Sequence, residues 1–179
     1  MRAYILTGTP GSGKTAILRQ LEIDGYAVVE EAATDVIALQ QALGQAQPWR
    51  EPGFAGRVLD LQRRRRLASQ AAATTSVVFV DRSPICTLAL CRYLELAEPP
   101  GLAGEIESTV AGGWYARPAF FVRHQGFIQT TQARRISLQD ALAFEKVHEL
   151  TYREVGFEVV DIEPAALALR VAAIRQALG

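Results

Sequence analysis

One stretch of eight residues decides how this chain folds: Gly8-Thr9-Pro10-Gly11-Ser12-Gly13-Lys14-Thr15. It matches the pattern G-x-x-x-x-G-K-[ST] at every required position, which is the pattern of a phosphate-binding P-loop. The apolar run Ala3–Thr7 precedes it and a helical pattern starts at Ala16, so the glycines lie where a strand turns into a helix. An ordinary Gly-rich turn is the alternative, and the full register behind a strand argues against it.

This stretch predicts that the chain binds a nucleoside triphosphate. Glycines let the backbone curl with its N–H groups pointing inward, and the helix N-terminus adds partial positive charge. Lys14 is then expected to reach the β- and γ-phosphates, and the Thr15 hydroxyl to ligate Mg²⁺. Seventeen of the nineteen basic residues are arginine, so Lys14 is one of only two lysines, placed where a compact ammonium is wanted.

The bulk composition indicates one α/β domain over residues 1–179. Hydrophobic residues make up 49% and the formal net charge is zero, which excludes disorder and a general nucleic-acid-binding surface. Cys86 and Cys91 lie in one predicted helix and point in different directions, so a disulfide or a structural zinc site is not expected. With no apolar run of about eighteen residues and no leader segment, we expect a reduced, cytoplasmic protein that does not enter a membrane.

Short apolar runs alternate with helical patterns along the chain. Five runs are predicted as strands: Ala3–Thr7, Tyr26–Glu30, Ser76–Val80, Ala119–Val122 and Glu158–Ile162. Seven stretches are predicted as helices: Lys14–Ile23, Thr34–Leu43, Phe54–Ala73, Pro84–Leu96, Leu102–Ala111, Ser137–Val155 and Ala165–Ala177. The stretch Gly44–Gly53 is predicted as a loop. Continuous rather than alternating apolar strands, separated by helices, predict a three-layer α/β fold with a doubly wound parallel sheet of five strands.

Acidic residues end two of the predicted strands, at the edge where parallel sheets bind ligands. Asp81 follows four apolar residues, as expected of a carboxylate near the Mg²⁺ shell; a helix N-cap is the alternative. Arg82 is expected to face the same crevice and bind a phosphate or carboxylate, with a structural ion pair as the alternative. Glu30 and Glu31 leave the second strand, where one carboxylate can accept a proton from a substrate hydroxyl. Alternation along the strand means that only one of the pair faces the site, and solvated charges at a helix start are the competing interpretation.

A polar segment near residues 125–137 is predicted as a lid carrying Arg134 and Arg135. Phosphoryl transfer needs positive charge around the equatorial oxygens and exclusion of water, so we expect one of these arginines to close on the phosphates. Surface charge is the alternative. Trp49 and Phe54 have two open interpretations, stacking on a flat substrate or packing in the loop and core.

Two other sets of residues are expected to carry no chemistry. Arg63-Arg64-Arg65-Arg66 looks basic, but successive helical residues are about 100° apart, so most of the four are expected to be solvated or paired. We therefore do not expect nucleic-acid binding. His124 and His148 have no partners in the sequence that indicate nucleophilic or metal chemistry, and both are predicted to be structural.

The P-loop, a Glu-Glu-Ala at 30–32, Asp81-Arg82-Ser83 and the paired arginines together resemble small P-loop kinases. The nearest likeness is to the NadR-type family of small AAA-like ATP-binding domains, which includes ribosylnicotinamide kinases; the segment Tyr152–Val160 is similar to that family's ending. The resemblance implies the strand order 2-3-1-4-5, a mobile lid, ATP with Mg²⁺ as donor, and Asp81 or a strand-end Glu as catalytic carboxylate. Deoxynucleoside kinases have a similar Arg-Ser after an acidic residue, so the resemblance also allows a nucleoside as the phosphoryl acceptor.

Three functions follow as hypotheses. The first is a small-molecule kinase that moves the γ-phosphoryl group of ATP to a hydroxyl of a nucleoside or similar small-molecule acceptor. The second is a regulatory or switch ATPase acting through a protein partner. The third is a protein that binds a nucleotide or lipid-like ligand without turnover, which the set of Lys14, Thr15 and Asp81 argues against because passive binding needs no Mg²⁺ site. The sequence leaves the acceptor, the choice of ATP or GTP, and the oligomeric state open.

Overall fold

The computed structural model describes residues 1–72, 75–124 and 138–178, with the side chain of residue 138 left out. Five strands form a single parallel sheet: β1 Arg2–Thr7, β2 Ala27–Val29, β3 Val77–Asp81, β4 Tyr115–Val122 and β5 Glu158–Ile162. The α-helices in the described ranges are α1 Lys14–Ile23, α2 Ala32–Ala42, α3 Phe54–Ala71, α4 Pro84–Tyr93, α5 Leu102–Ala111, α6 Leu138–Glu154 and α7 Leu167–Gln176. The order across the sheet is β2-β3-β1-β4-β5, which confirms the predicted topology.

Residues of β1 show how the sheet is covered on both faces. Successive side chains of a strand point to opposite faces, so Ala3 and Ile5 enter one apolar cluster while Tyr4 and Leu6 enter the other. The first cluster includes residues of α3, α4, α5 and α6. The second includes residues of α1 and α7. The protein therefore has the predicted three layers, helices over both faces of one parallel sheet.

Three predicted boundaries differ from the structure for identifiable reasons. Strand β4 begins at Tyr115 rather than Ala119, and its register with β1 shifts between Ala3 and Ile5, so Pro118 lies beside an irregularity of the kind that tolerates proline. Helix α4 ends at Tyr93 because Glu95 adopts a left-handed backbone with φ 54°. The predicted loop at 44–53 contains a short 3-10 helix, Pro48–Arg50.

The two cysteines are free thiols inside the core, as predicted. Within the described ranges, no helix is both long enough and apolar enough to cross a lipid bilayer.

Candidate nucleotide and acceptor site

The loop between β1 and α1 has the backbone that its glycines predict. Gly8, Gly11 and Gly13 all have positive φ, at 123°, 85° and 88°. A Cβ atom on Gly8 would stand 2.3 Å from the carbonyl oxygen of Val122, so any larger residue would collide with the end of β4. Glycine at position 8 therefore lets the loop pass close to the neighbouring strand while it curls into helix α1.

The Lys14 ammonium is folded into this loop. Its Nζ donates to the carbonyl oxygens of Gly8 at 3.0 Å and Thr9 at 2.7 Å, and to Ser12 Oγ at 3.3 Å. These three contacts match the three donors of an ammonium group. Lys14 is buried, and burial, followed by the nearby charge of Arg82, lowers the pKa of Lys14 to about 8. A polyphosphate in the loop can replace the carbonyl partners with oxygens that carry full negative charge.

Asp81 ends β3 beside the loop. It is buried and stands in register with Leu6 of β1, two residues before Gly8. The alternative that Asp81 caps helix α4 is wrong, because Ser83 is the cap residue and its Oγ accepts from the Ile85 amide at 3.3 Å. Thr15 is exposed in the first turn of α1.

Arg82 and Glu31 form a half-buried ion pair at the same edge of the sheet. Arg82 Nε donates to Glu31 Oε1 at 2.5 Å, and the side chains are 9% and 16% exposed. Burial alone would raise the pKa of Glu31, but the charges of Arg82 and Lys14, with hydrogen bonds from Thr34 and Arg82, lower it to about 2. Arg82 has a φ of 68°, a costly conformation for a side chain of this size. Its strained backbone aims the guanidinium at Glu31.

The structure separates the two adjacent glutamates. The second oxygen of the Glu31 carboxylate accepts from Thr34 Oγ1 at 2.7 Å, so both oxygens are held beside the loop. The Glu30 carboxylate instead pairs with Arg19 at the surface, where both side chains are about half exposed. Glu31 therefore lies in the same cluster as Lys14, Asp81 and Arg82. Glu30 is a solvated charge before a helix, which was the competing interpretation for these two glutamates.

The arginine run of α3 is used for internal contacts. Arg63 and Arg66 each bond one oxygen of Glu105 at 2.9 Å, and that carboxylate is buried. Arg65 Nη1 donates to the backbone carbonyls of Glu30 at 3.0 Å and Glu31 at 2.8 Å, and so fixes the turn that presents Glu31. This role of Arg65 was not predicted, because nothing in the sequence near position 65 indicates a contact with Glu30 or Glu31, which lie 35 and 34 positions earlier.

A cavity of about 720 Å³ opens beside the ion pair. Glu31, Arg82 and Pro10 of the loop line one side of it. Its apolar walls come from α2, α3, α4, α6 and the 3-10 helix, and they are Ile37, Trp49, Phe54, Val58, Leu90 and Phe144. The volume is typical of small-ligand pockets.

Besides Glu31 and Arg82, the polar residues of the lining are Thr34, Arg50, Gln62, Thr87, Tyr93 and Asp140. The Gln62 amide nitrogen donates to the Ser83 carbonyl at 3.1 Å, and the Gln62 amide oxygen accepts from Thr87 Oγ1 at 3.0 Å. Phe54 is buried and Trp49 is half-buried, so both belong to an apolar cluster as well as to the cavity wall. The two open interpretations of these residues are therefore compatible.

The remaining predicted residues either do not line this cavity or lie outside the described ranges. His148 is fully buried on α6 among the rings of Phe121, Phe144 and Tyr152, and burial lowers its pKa well below the usual value. His124 is buried just after β4. Arg134, Arg135 and the predicted lid at 125–137 lie outside the described residues.

Comparisons with known proteins agree with this fold. The model of an AAA domain family matches residues 3–170. Among curated protein sequences, none is significantly similar to the chain.

Several solved structures share the architecture. Deoxyadenosine kinase from M. mycoides with bound dATP superposes with a TM-score of 0.57 at 14% identity, covering 99% of both chains. NadR protein in complex with NR superposes with a TM-score of 0.69 at 15% identity, covering 98% of this chain and 49% of NadR. A NadR complex with NAD and AMP-PNP gives a TM-score of 0.66 at 15% identity. The chain thus spans about half the length of NadR, and these matches establish the P-loop kinase fold that the sequence predicted.

Proposed function

Since the chain belongs to this AAA domain family, we propose that it is a small-molecule kinase that transfers the γ-phosphoryl group of ATP to a hydroxyl of a nucleoside or similar metabolite. One observation carries the proposal. The Glu31–Arg82 ion pair and Pro10 of the phosphate-binding loop line the same apolar cavity. The Glu31 carboxylate therefore lies where the proposed ATP site adjoins the pocket proposed for a flat acceptor.

The donor half is the loop with Lys14, Thr15 and Asp81. Loop amides and the Lys14 ammonium bind the β- and γ-phosphates of ATP. A hydroxyl and a carboxylate are hard oxygen donors that suit Mg²⁺, and Thr15 and Asp81 are the residues that would hold it. Within the described ranges no group of three His, Cys, Asp or Glu residues could hold a metal ion. This fits Mg²⁺, which proteins commonly bind through one or two side chains plus substrate phosphates; when bound, it neutralises charge on the phosphates.

The acceptor half is the cavity with Glu31. Its carboxylate is positioned to accept a hydrogen bond from the acceptor hydroxyl and then its proton, as the new O–P bond forms and the bond from Pγ to ADP breaks. With a pKa of about 2, Glu31 is ionised throughout the physiological range but is a weak base. A weak base suffices because the transition state of phosphoryl transfer is loose and orientation of the hydroxyl matters most. Arg82 keeps this carboxylate ionised and adds positive charge near the transferred group.

The chemistry of the cavity favours a flat, mostly apolar acceptor with polar edges. Trp49 and Phe54 offer aromatic surface, and Gln62 with Thr87 offers an amide and a hydroxyl. The solved relatives are crystallised with dATP, NR and AMP-PNP, which supports nucleoside-like ligands here. Buried free thiols support a reducing, cytoplasmic location.

The test is ADP formation from ATP and Mg²⁺ with a panel of nucleosides, other ribosides and unrelated alcohols, and mass spectrometry of the products. We expect ADP only when an acceptor is present, with one phosphate added to that acceptor. The Lys14→Ala variant measures the background. ADP formed at the same rate with and without every acceptor contradicts a kinase and favours the regulatory ATPase.

A further inference from the structure

Arg170 of helix α7 lies directly behind the phosphate-binding loop. Its Nη2 donates to the carbonyl oxygen of Ser12 at 2.5 Å, a contact between residues 158 positions apart. The residue is only 3% exposed. Its Nε is also buried and has no hydrogen-bond acceptor among the described residues. The guanidinium behind the loop therefore has a buried N–H group, at Nε, with no hydrogen-bond acceptor among the described residues.

This guanidinium differs from those of Arg66 and Arg82 in its surroundings. Arg82 and Arg66 each face a buried or half-buried carboxylate. For Arg170, burial lowers the pKa, and no neighbouring charge in the described part of the chain offsets that effect. An arginine stays protonated in proteins, so a full positive charge remains in the interior. A buried cation without an anion is costly, and the nearest feature built to receive an anion is the loop itself.

The geometry of the peptide group explains how Arg170 acts on the loop. No peptide bond in the described chain is cis, so the carbonyl of Ser12 and the N–H of Gly13 point in opposite directions. With the carbonyl held towards α7, the Gly13 N–H points away from α7. A hydrogen bond on the carbonyl also polarises the peptide group and makes its N–H a stronger donor. Gly13 is the N-cap residue of α1, with a φ of 88°, and the N–H groups at a helix N-terminus have no intrahelical acceptor.

The position of the guanidinium is fixed by the core. Val171 and Ile174 of α7 pack in the same apolar cluster as Ile17, Leu18 and Leu21 of α1, the helix that the loop leads into. Loop, α1 and α7 therefore form one packed unit, and Arg170 cannot swing away from Ser12 without disturbing it.

We propose that Arg170 is a positioning residue of the phosphate-binding loop, which fixes the Ser12–Gly13 peptide from behind and adds a buried positive charge that strengthens polyphosphate binding. The inference rests on the proposed binding of a nucleotide by the loop but not on phosphoryl transfer. Because the charge acts on phosphate oxygens, its effect should grow with the number of phosphates in the ligand.

Titration calorimetry of the full chain with inorganic tripolyphosphate, ATP, ADP and AMP tests this. Arg170→Gln removes the charge and retains an amide N–H donor on a shorter side chain. We expect it to weaken tripolyphosphate and ATP binding about tenfold or more and AMP binding about twofold or less. The matched control is Arg175→Gln, which removes the same charge from the same helix at a side chain that is 55% exposed; it should bind every ligand like the wild type.

Each outcome decides a separate point. Wild-type protein that does not bind ATP overturns the proposed nucleotide binding and this inference with it, and wild-type protein that binds ATP but not tripolyphosphate overturns only the inference. If the wild type binds, and Arg170→Gln binds equally well or weakens all ligands to the same extent, only the inference is overturned.

Arg170→Lys is the second variant, since loss of a buried arginine can prevent folding. It keeps the charge but not the planar fork, so we expect a loss of about threefold for tripolyphosphate and none for AMP. An affinity for tripolyphosphate equal to the wild type, or no better than that of a folded Arg170→Gln variant, contradicts the proposal.

Discussion

The phosphate-binding loop and the Glu31–Arg82 pair stand at the same edge of the sheet but are built in opposite ways. The loop consists of consecutive residues, and its Lys14 ammonium is held by backbone carbonyls and a hydroxyl of its own turn. The ion pair joins side chains 51 positions apart, which meet only because β2 and β3 are neighbours. Among the described residues no carboxylate is bonded to the Lys14 ammonium, whereas the Glu31–Arg82 pair neutralises itself.

This contrast has consequences for function. A desolvated cation attracts an anionic ligand, so the loop suits the charged donor. The charged residues that line the cavity are two arginines and two acids, Arg50, Arg82, Glu31 and Asp140, so their formal charges balance and the cavity suits an uncharged acceptor with a hydroxyl. The two regions should therefore respond differently when one residue is removed.

The largest expected effect is at the loop. We expect Lys14→Ala to reduce kcat/KM for ATP about a thousandfold, because a charge-assisted contact to the transferred phosphates is lost. The fold should persist, since the positive φ angles of the loop are allowed by its glycines and do not require the Lys14 side chain. The control is Lys146→Ala, which removes the only other lysine at an exposed position of α6. Steady-state kinetics and circular dichroism measure both, and wild-type kinetics for Lys14→Ala contradict the donor assignment.

Asp81 lies between the two regions, and its substitution shows whether it belongs with the donor. Asp81→Asn should lower kcat about a hundredfold with a modest loss of nucleotide affinity, since it removes charge from the proposed Mg²⁺ shell and keeps the shape of the side chain. Asp60→Asn, at an exposed position of α3, is the control. A fall in melting temperature with unchanged kcat assigns Asp81 a structural role.

Glu31 and Glu30 offer the most direct test of the ion pair. Glu31→Gln should lower kcat by about a hundredfold or less and also lower the melting temperature, because Arg82 keeps a buried charge without its partner. Glu30→Gln removes an equal charge one residue away from an exposed pair with Arg19, which contributes little, so both values should stay near wild type. Equal losses in kcat for the two variants contradict the assignment of Glu31.

The same contrast between the two regions explains how much of each could be predicted from the sequence. The loop is a local pattern, so its residues, its strand and its helix could be identified in full. The sheet order followed from resemblance, and strand ends pointed to Glu30, Glu31, Asp81 and Arg82 as a group. The choice between Glu30 and Glu31 depends on the turn after Val29, where β2 ends. Arg65 fixes that turn from another helix, and no local signal reports it.

Other misses have the same origin in contacts distant along the chain. The early start of β4 depends on how an irregular stretch around Pro118 pairs with two neighbouring strands. Arg170 lies in a mostly apolar helix, and only its packing against α1 brings it to Ser12. In each case the residue types are unremarkable locally, and tertiary packing gives them their role.

The smallest expected effect near neutral pH is on pH dependence, and it compares the two regions without any substitution. Lys14 has a pKa of about 8 in the free protein, and only its protonated form is a cation. We expect kcat/KM for ATP to fall about tenfold per pH unit above pH 8, since this parameter reports the free enzyme. Bound phosphates add negative charge beside the ammonium and raise its pKa, so the fall in kcat should begin at higher pH.

Glu31, with a pKa of about 2, stays ionised and should add no change between pH 5 and 8. Initial rates measured from pH 5 to 10 with an uncharged acceptor give the acidic and the basic parts of the pH profiles of kcat/KM and kcat. If kcat/KM stays constant to pH 10, Lys14 is not the partly desolvated cation of the loop, and the contrast between the two regions does not hold.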